Sequence, residues 1–232
     1  MKSIRNGNIW FQSPKYYQEY VGAGEISISD PSEIKYDYIK QLNEKDIQNK
    51  FHIHSGTEMI LNGRPFILDK IQNARYCHYM SDQEANKYRL FCMYGLKCDE
   101  KGQINIPDER IKQFGDYFSV VDIDKLIIKV RKSLKNKNIN ITSCAVAYIV
   151  TQNYEGAYNA TFKGSNKFSY QNEYRIILYS SNFDTLESTE HYEYISDSLL
   201  YDCFSEPFPI EYLYNSKTMQ ELSDKTGISS AI

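Results

Sequence analysis

The sequence distributes its apolar residues in short runs, and this patterning limits the fold more than any other feature. Between residues 51 and 98, apolar and polar side chains alternate within short segments that turn-forming residues separate. Alternation with a period of two is typical of strands that bury one face. No apolar run approaches the roughly 20 residues that a membrane-spanning helix needs. The sequence therefore predicts short strands joined by turns, and no membrane span.

A segment with helical periodicity follows these strands. Asp122 stands in front of apolar residues that recur every three or four positions, as they do on one face of a helix. That stripe consists of Ile123, Ile127, Val130 and Leu134. The pattern predicts a strand over 117–121 and then a helix capped by Asp122.

The segment 29–45 is also predicted to be helical. It opens with residues that suit an N-cap, a first helical turn and a capping box, namely Ser29 or Asp30, Pro31 and Glu33. The apolar residues that follow recur every four positions, at Ile34, Tyr38 and Leu42. Because strands and helices alternate without regular βαβ units, we expect an α+β fold with a mixed or antiparallel sheet core flanked by helices.

Composition places few limits on the partners of this chain. The 232 residues contain no internal repeat and no linker rich in Pro or Gly, so a single domain over 1–232 is expected. The net charge of −3 gives no overall attraction to nucleic acid or anionic lipid. The five cysteines form no Cys-x-x-Cys pair, and the first residues lack the apolar core of a signal peptide. Free thiols and a cytoplasmic location are therefore expected.

The segment 166–180 contains the strongest candidate for chemistry. If it forms one continuous strand, Gln171, Glu173 and Arg175 share a face, and apolar side chains occupy the other face. The polar face has two interpretations. It is either the solvent side of an ordinary sheet, with a Glu173–Arg175 pair of little energetic weight, or an active-site edge where Gln171 and Glu173 enter the same cleft.

The second interpretation is supported by a resemblance. Gln171-Asn172-Glu173 resembles the Gln-x-Glu signature of mono-ADP-ribosyltransferases, in which the Glu is the key residue and the residue two positions before it helps to choose the acceptor. The resemblance implies that Glu173 grips a ribose hydroxyl of NAD and stabilises the positive charge that develops as nicotinamide leaves. It further implies that Gln171 positions the acceptor, and that Arg175 orders the edge or pairs with the NAD pyrophosphate.

Longer stretches of the chain resemble a poorly characterised bacterial family associated with mobile elements and phage defence. The matching segments are 7–17, 30–33, 114–122 and 162–175, in this order along the chain. Together the two resemblances imply an ADP-ribosyltransferase-like fold and a toxin that modifies a nucleic-acid base, in RNA or DNA, or a protein side chain. They also imply a neutralising antitoxin protein.

The NAD pocket itself is less clearly marked in the sequence. Phe11, Ser13 and Tyr17 either line an aromatic NAD pocket or pack in the core as strand residues. The Arg or His that usually opens such a site has no single counterpart, since Arg5, Tyr17 and His54 all suit the role.

Three other patterns have alternative interpretations. His52, His54 and Glu58 resemble half of a cupin metal motif, or they are polar residues on a strand surface. Asp30 and Glu33 bind a ligand, or they cap a helix. A basic run contacts nucleic-acid phosphates, or it solvates a helix C-terminus; its members are Lys129, Arg131, Lys132, Lys135 and Lys137.

These patterns leave three functions to compare. The first is an NAD-dependent ADP-ribosyltransferase, and the second is a non-catalytic binding module of a defence system whose polar strand is a recognition edge. The third is a cupin-like metal-dependent enzyme.

Overall fold

A computed structural model describes residues 8–19, 36–42, 45, 58–61, 64–67, 74–149, 156–157, 160–164, 166–185, 192–195 and 199–228. The strands are β1 (Asn8–Phe11), β2 (Tyr36–Leu42), β3 (Glu58–Leu61), β4 (Arg64–Ile67), β5 (Ala74–Tyr79), β6 (Tyr88–Tyr94), β7 (Tyr117–Phe118), β8 (Asn140–Ala145), β9 (Ala147–Ile149), β10 (Gly156–Ala157), β11 (Phe162–Gly164), β12 (Glu173–Tyr179), β13 (Tyr192–Ile195) and β14 (Phe208–Pro209). The α-helices are α1 (Pro14–Glu19), α2 (Asp82–Ala85), α3 (Ile123–Leu134), α4 (Ile210–Asn215) and α5 (Met219–Thr226), and 3₁₀ helices span Glu109–Phe114, Asn166–Gln171, Ser181–Thr185 and Leu199–Cys203. This mixture of helices and mostly antiparallel strands confirms the expected α+β class.

A three-stranded antiparallel sheet of order β6-β12-β8 organises the core. The central strand β12 pairs on both sides, so that Arg175 lies between Cys92 and Cys144, and Ile176 lies between Phe91 and Ser143. Directly paired residues project to the same side of a sheet. The sheet therefore has an Arg175 face and an Ile176 face.

Helix α3 covers the Ile176 face. Leu126, Val130 and Leu134 pack with Ile176 and Leu178 in one cluster, in which each of these five side chains is at most 2 % exposed. The helix begins where expected, because the Asp122 carboxylate accepts a hydrogen bond from the backbone N–H of residue 125 at 3.0 Å. The predicted cap and apolar stripe of this helix are confirmed.

The Arg175 face is covered as well. Leu90, Ala160 and Ile177 form a second buried cluster, and Tyr17 of α1 packs against it. The expectation that one side of the strand faces solvent is therefore wrong. A strand that lies in the middle of a sheet covered on both sides buries even its charged residues, and Arg175 is only 1 % exposed.

The predicted continuous strand over 166–180 is also only partly correct. Residues 166–171 form a 3₁₀ helix, and the strand begins at Glu173. The break falls at Asn172, whose φ of 38° lies in the left-handed region. Asn tolerates this conformation better than other residues that carry a side chain, which allows the chain to turn there.

The helix predicted over 29–45 is a second error, because residues 36–42 form β2, which pairs antiparallel with β5. A spacing of four residues fits one face of a helix and also one face of a strand, since four is a multiple of two. Cross-strand pairing with β5 decided between the two. The cap residues predicted between 29 and 34 lie outside the described residues.

The other sequence predictions for the fold are largely confirmed. Short strands lie at β3 to β6, within the region 51–98 where they were expected, and the strand predicted over 117–121 is present only as the two residues of β7. Cys92, Cys98, Cys144 and Cys203 are free thiols. In the part of the chain that the structure describes, no helix has both the length and the apolar character to cross a membrane.

We expect the Leu126→Ala variant to lose about 2–5 kcal/mol of unfolding free energy, because it leaves a cavity in the main core. Ile128 provides a matched control on the same helix, since its side chain is 65 % exposed. Ile128→Ala is expected to change the unfolding free energy by no more than about 0.5 kcal/mol. Urea unfolding of both variants measures the difference, and equal losses would contradict this packing of α3.

Candidate functional site

Four polar side chains meet on the Arg175 face at the start of the central strand. Lys163 donates hydrogen bonds to Gln171 Oε1 at 2.6 Å and to Glu173 Oε1 at 2.5 Å. Arg175 donates to Glu173 Oε2 from Nε at 2.9 Å and from Nη2 at 2.7 Å. We call these residues the Glu173 cluster: Lys163, Gln171, Glu173 and Arg175.

The turn at Asn172 brings Gln171 and Glu173 to the same lysine. The backbone N–H of Asn172 bonds to the carbonyl of Ser169, and its side-chain amide donates to the carbonyl of Gly95. Gly95 in turn donates its N–H to the Asn172 carbonyl at 2.7 Å. A Cβ atom at position 95 would lie 3.0 Å from that carbonyl oxygen, so this close approach favours glycine.

Strands β9 and β11 supply the rest of the surroundings of Glu173. They pair in parallel, with Lys163 opposite Tyr148. The Tyr148 hydroxyl accepts a hydrogen bond from the backbone N–H of Glu173 at 2.9 Å. Arg175 is fixed from another direction, because its Nη1 donates to the carbonyl of Ala160 at 2.9 Å. The cluster is therefore assembled from three consecutive elements, β11, the 3₁₀ helix Asn166–Gln171 and β12, and neighbouring backbone holds its members in place.

The cluster is nearly closed to water. Side-chain exposure is 5 % for Lys163, 1 % for Arg175 and 11 % for Glu173. Burial by itself raises the pKa of Glu173, but the charges and hydrogen bonds of Arg175 and Lys163 outweigh it and hold the pKa below the ordinary value. Glu173 is consequently an ionised carboxylate in desolvated surroundings.

The Glu173 carboxylate retains some capacity to accept hydrogen bonds. A carboxylate offers about four lone-pair sites. Lys163 uses one site on Oε1, and Arg175 uses both sites on Oε2. One site on Oε1 is therefore left for a hydroxyl group, on a side chain that keeps a small exposed area.

The structure brings some of the predicted site residues together and separates others. Gln171, Glu173 and Arg175 lie in the cluster, and Tyr17 lies on the same face of the sheet, where its hydroxyl donates to the carbonyl of Leu90 at 3.1 Å. Burial, then Cys92, raise the pKa of the Tyr17 hydroxyl, while Arg175 opposes that rise.

The two other residues predicted for the NAD pocket, Phe11 and Ser13, are buried and make contacts within the fold. Phe11 is fully buried in the cluster on the Ile176 face, where its ring centroid lies 5.8 Å from that of Phe91. The Ser13 hydroxyl is buried and accepts a hydrogen bond from the backbone N–H of Tyr16 at the start of α1. Phe11 is thus separated from Glu173 by the sheet.

The structure does not test the His52-His54-Glu58 metal pattern, which stays a prediction. Arg5, Asp30, Glu33, His52 and His54 lie outside the described residues, and the side chain of Glu58 is not described either. Among the described residues, no group of three or more His, Cys, Asp and Glu side chains gathers to hold a metal.

The basic run predicted along α3 is split between two environments. Lys129 forms an ion pair with Asp202. The remaining members are exposed around the end of α3: Arg131, Lys132, Lys135 and Lys137.

Two residues of the site were not found from the sequence. Lys163 and Tyr148 lie on three-residue strands whose sequences, Phe-Lys-Gly and Ala-Tyr-Ile, carry no pattern that points to chemistry. Their roles depend on the parallel pairing of β9 with β11, which sets Lys163 opposite Tyr148 and which neither three-residue segment specifies by itself.

A separate feature lies on the other side of β12. A half-open cavity of about 540 Å³ is bounded by the ends of β6 and β12, by β7, and by the first turn of α3. Gly95 and Tyr174 line it, whereas Gln171 and Glu173 do not. The polar cluster and this cavity are therefore different sites that share one strand.

No protein-family model, curated protein or solved structure matches this chain.

We expect Glu173→Gln to lower the unfolding free energy by about 3–5 kcal/mol, because it leaves two buried cations without their shared carboxylate. Glu100→Gln is the matched control, since Glu100 is exposed and should change stability by no more than about 0.5 kcal/mol. Urea unfolding at neutral pH measures both. A loss in Glu173→Gln as small as that in the control would contradict the buried ion pairs.

The Glu173 ion pairs should also make the stability depend on pH. Because the folded-state pKa lies below the ordinary value of 4.5, the unfolded state binds the proton more readily. The contribution of this carboxylate is fully present above the unfolded pKa of about 4.3 and is lost as the pH falls through the lower folded pKa. The stability difference between wild type and Glu173→Gln should therefore be constant near neutral pH and shrink in acid. A stability difference that grows in acid would show that the pKa of Glu173 is raised in the folded state and not lowered.

Proposed function

We propose that this chain is an NAD-dependent mono-ADP-ribosyltransferase of the toxin or phage-defence type. The observation that supports it best is the Glu173 carboxylate, which is ionised, nearly dry, adjacent to Gln171 and able to accept one more hydrogen bond. The proposal includes an ADP-ribosyltransferase-like arrangement of the sheet, with Glu173 as the first residue of its central strand.

In the proposed reaction, a ribose hydroxyl of NAD donates to the open site on Glu173 Oε1. The bond between ribose C1′ and the nicotinamide nitrogen breaks, and nicotinamide leaves with the bonding electrons. The negative charge of Glu173 stabilises the positive charge that builds up on the ribose, an effect that is strong in desolvated surroundings. A nucleophile on a nucleic-acid base or a protein side chain then bonds to C1′ and releases its proton.

The neighbours of Glu173 take different parts in this proposal. Arg175 and Lys163 keep the carboxylate ionised and fix its direction, and they act through Glu173 as positioning residues. Gln171 is held by Lys163 through its carbonyl oxygen, which directs its amide nitrogen away from that lysine and toward the Tyr170 hydroxyl at 3.5 Å. That amide would orient the acceptor.

A non-catalytic binding module of a defence system is the second candidate. It is favoured by the near-complete pairing of Glu173 with two cations, which is also how a buried ion pair holds segments of a fold in register. Under this function the same carboxylate has a purely structural role, and binding takes place elsewhere.

Label transfer from NAD separates the two functions. Wild-type protein incubated with NAD labelled in the adenylate part and with total cell extract is expected to label a macromolecular fraction, and the protein, RNA and DNA fractions are counted separately. Glu173→Gln is expected to lower the transfer rate at least about a hundredfold, the size of effect seen when one electrostatic stabiliser is removed from an active site. Glu100→Gln should retain full transfer.

Because Glu173→Gln also loses stability, Gln171→Ala serves as a second variant that leaves both ion pairs in place. Its thermal melting temperature shows whether it is folded. A folded wild type that transfers no label to any fraction, or transfer that survives in folded Glu173→Gln, would leave the binding module as the better account. If the transferase proposal holds, co-expression of the antitoxin partner should abolish transfer.

A further inference from the structure

We propose that the cavity beside β7 and α3 binds a small organic cation with an apolar body, such as a quaternary ammonium compound. The volume of about 540 Å³ lies within the range of cavities that take up small molecules. This site is separate from Glu173, so the inference does not depend on the transferase proposal.

The walls of the cavity are rich in aromatic side chains. Six aromatic side chains line the cavity, contributed by the sheet, by β7 and by the segment after the 3₁₀ helix Leu199–Cys203: Phe91, Tyr94, Tyr117, Phe118, Tyr174 and Phe204. The faces of aromatic rings attract cations, and the attraction increases when the cation is desolvated. Several aromatic rings around one cavity are the arrangement that proteins use for quaternary ammonium groups, and this half-open cavity is lined by six.

The charged residues of the cavity lining also favour a cation. Asp122 and Asp124 are its only charged residues among those that the structure describes. The N-terminus of α3 brings a positive partial charge of about half a unit, which two carboxylates exceed. Both charged side chains of the lining are therefore acidic, which favours a cation over phosphates and other anions.

The lysines of α3 nearest to this site pair with Asp202. Lys125 lies in the first turn of α3, its ammonium group forms an ion pair with Asp202 at 2.9 Å, and Lys129 shares the same carboxylate. Asp122 uses its carboxylate to cap the helix. Asp124 lines the cavity and is exposed in the first turn of the helix, so its carboxylate is accessible to a ligand.

The rest of the lining suits the apolar body of such a ligand. Aliphatic and methionine side chains of α4 and α5 close the cavity opposite the sheet: Leu213, Met219 and Leu222. Tyr117 also lines the cavity, and 58 % of its surface is exposed. A bound cation would bury part of this ring.

The test compares choline with 3,3-dimethylbutan-1-ol, a neutral molecule of the same shape, by NMR titration of the full chain labelled at its methionine methyl groups. Choline is expected to shift the methyl signals of Met93 and Met219, which line the cavity, and to leave that of Met80 unchanged. The neutral molecule is expected to bind about tenfold more weakly, which corresponds to 1.4 kcal/mol and lies within the range of cation–π attractions.

Matched variants locate the binding site. Asp124→Asn and Tyr117→Ala should each weaken choline binding severalfold. Their controls are Asp116→Asn, an exposed carboxylate outside the lining, and Tyr201→Ala, whose ring is 52 % exposed and also lies outside it. The controls should bind choline as the wild type does.

Three outcomes would overturn the inference. Equal binding of choline and its neutral counterpart would make the cavity a plain apolar site. The absence of any methyl shift would show that the cavity takes up neither molecule. Loss of binding in the controls as large as that in Asp124→Asn and Tyr117→Ala would place the choline somewhere else.

Discussion

The structure depends on one buried carboxylate that is shared by two cations. Glu173 lies where the 3₁₀ helix before β12, the strand β12 itself and the strand β11 meet, and Lys163 and Arg175 compensate its charge from two directions. A buried carboxylate with no cation beside it would be strongly unfavourable, because its hydration is lost. The pairing therefore fixes where β12 begins and how β11 lies against it, since another register would leave at least one charge unpaired.

The central strand separates two kinds of chemistry. Its odd-numbered residues contribute a charged, hydrogen-bonded cluster at one end of the Arg175 face, and its even-numbered residues contribute to an apolar core and an aromatic cavity on the other face. Tyr174 and Glu173 are adjacent in sequence but project into different sites. The alternation of side chains along a strand is thus the geometric reason why neighbouring residues serve two proposed functions.

Prediction from the sequence succeeded where a local pattern fits only one kind of secondary structure. The Asp122 cap and the apolar stripe behind it specify α3, because that spacing fits a helix and not a strand. It failed where a pattern fits two kinds, as in β2, because apolar residues four positions apart share one face in a helix and also in a strand. It also failed at Asn172, where a single left-handed residue divides the predicted strand, because propensity alone does not say which Asn will adopt that conformation.

The sequence by itself determined the α+β class, the start of α3 and its apolar face, and the Gln-x-Glu pair as the candidate for chemistry, since these depend on residues near one another in the chain. Only the tertiary structure decided that Glu173 is buried, that Lys163 joins it, and that Phe11 lies on the opposite side of the sheet. The reason is that strand pairing brings together separate segments of the chain: β12 is flanked by β6 and β8, and β11, which carries Lys163, is paired with β9. Burial, and with it the pKa of the carboxylate, is a property of that assembly rather than of any segment alone.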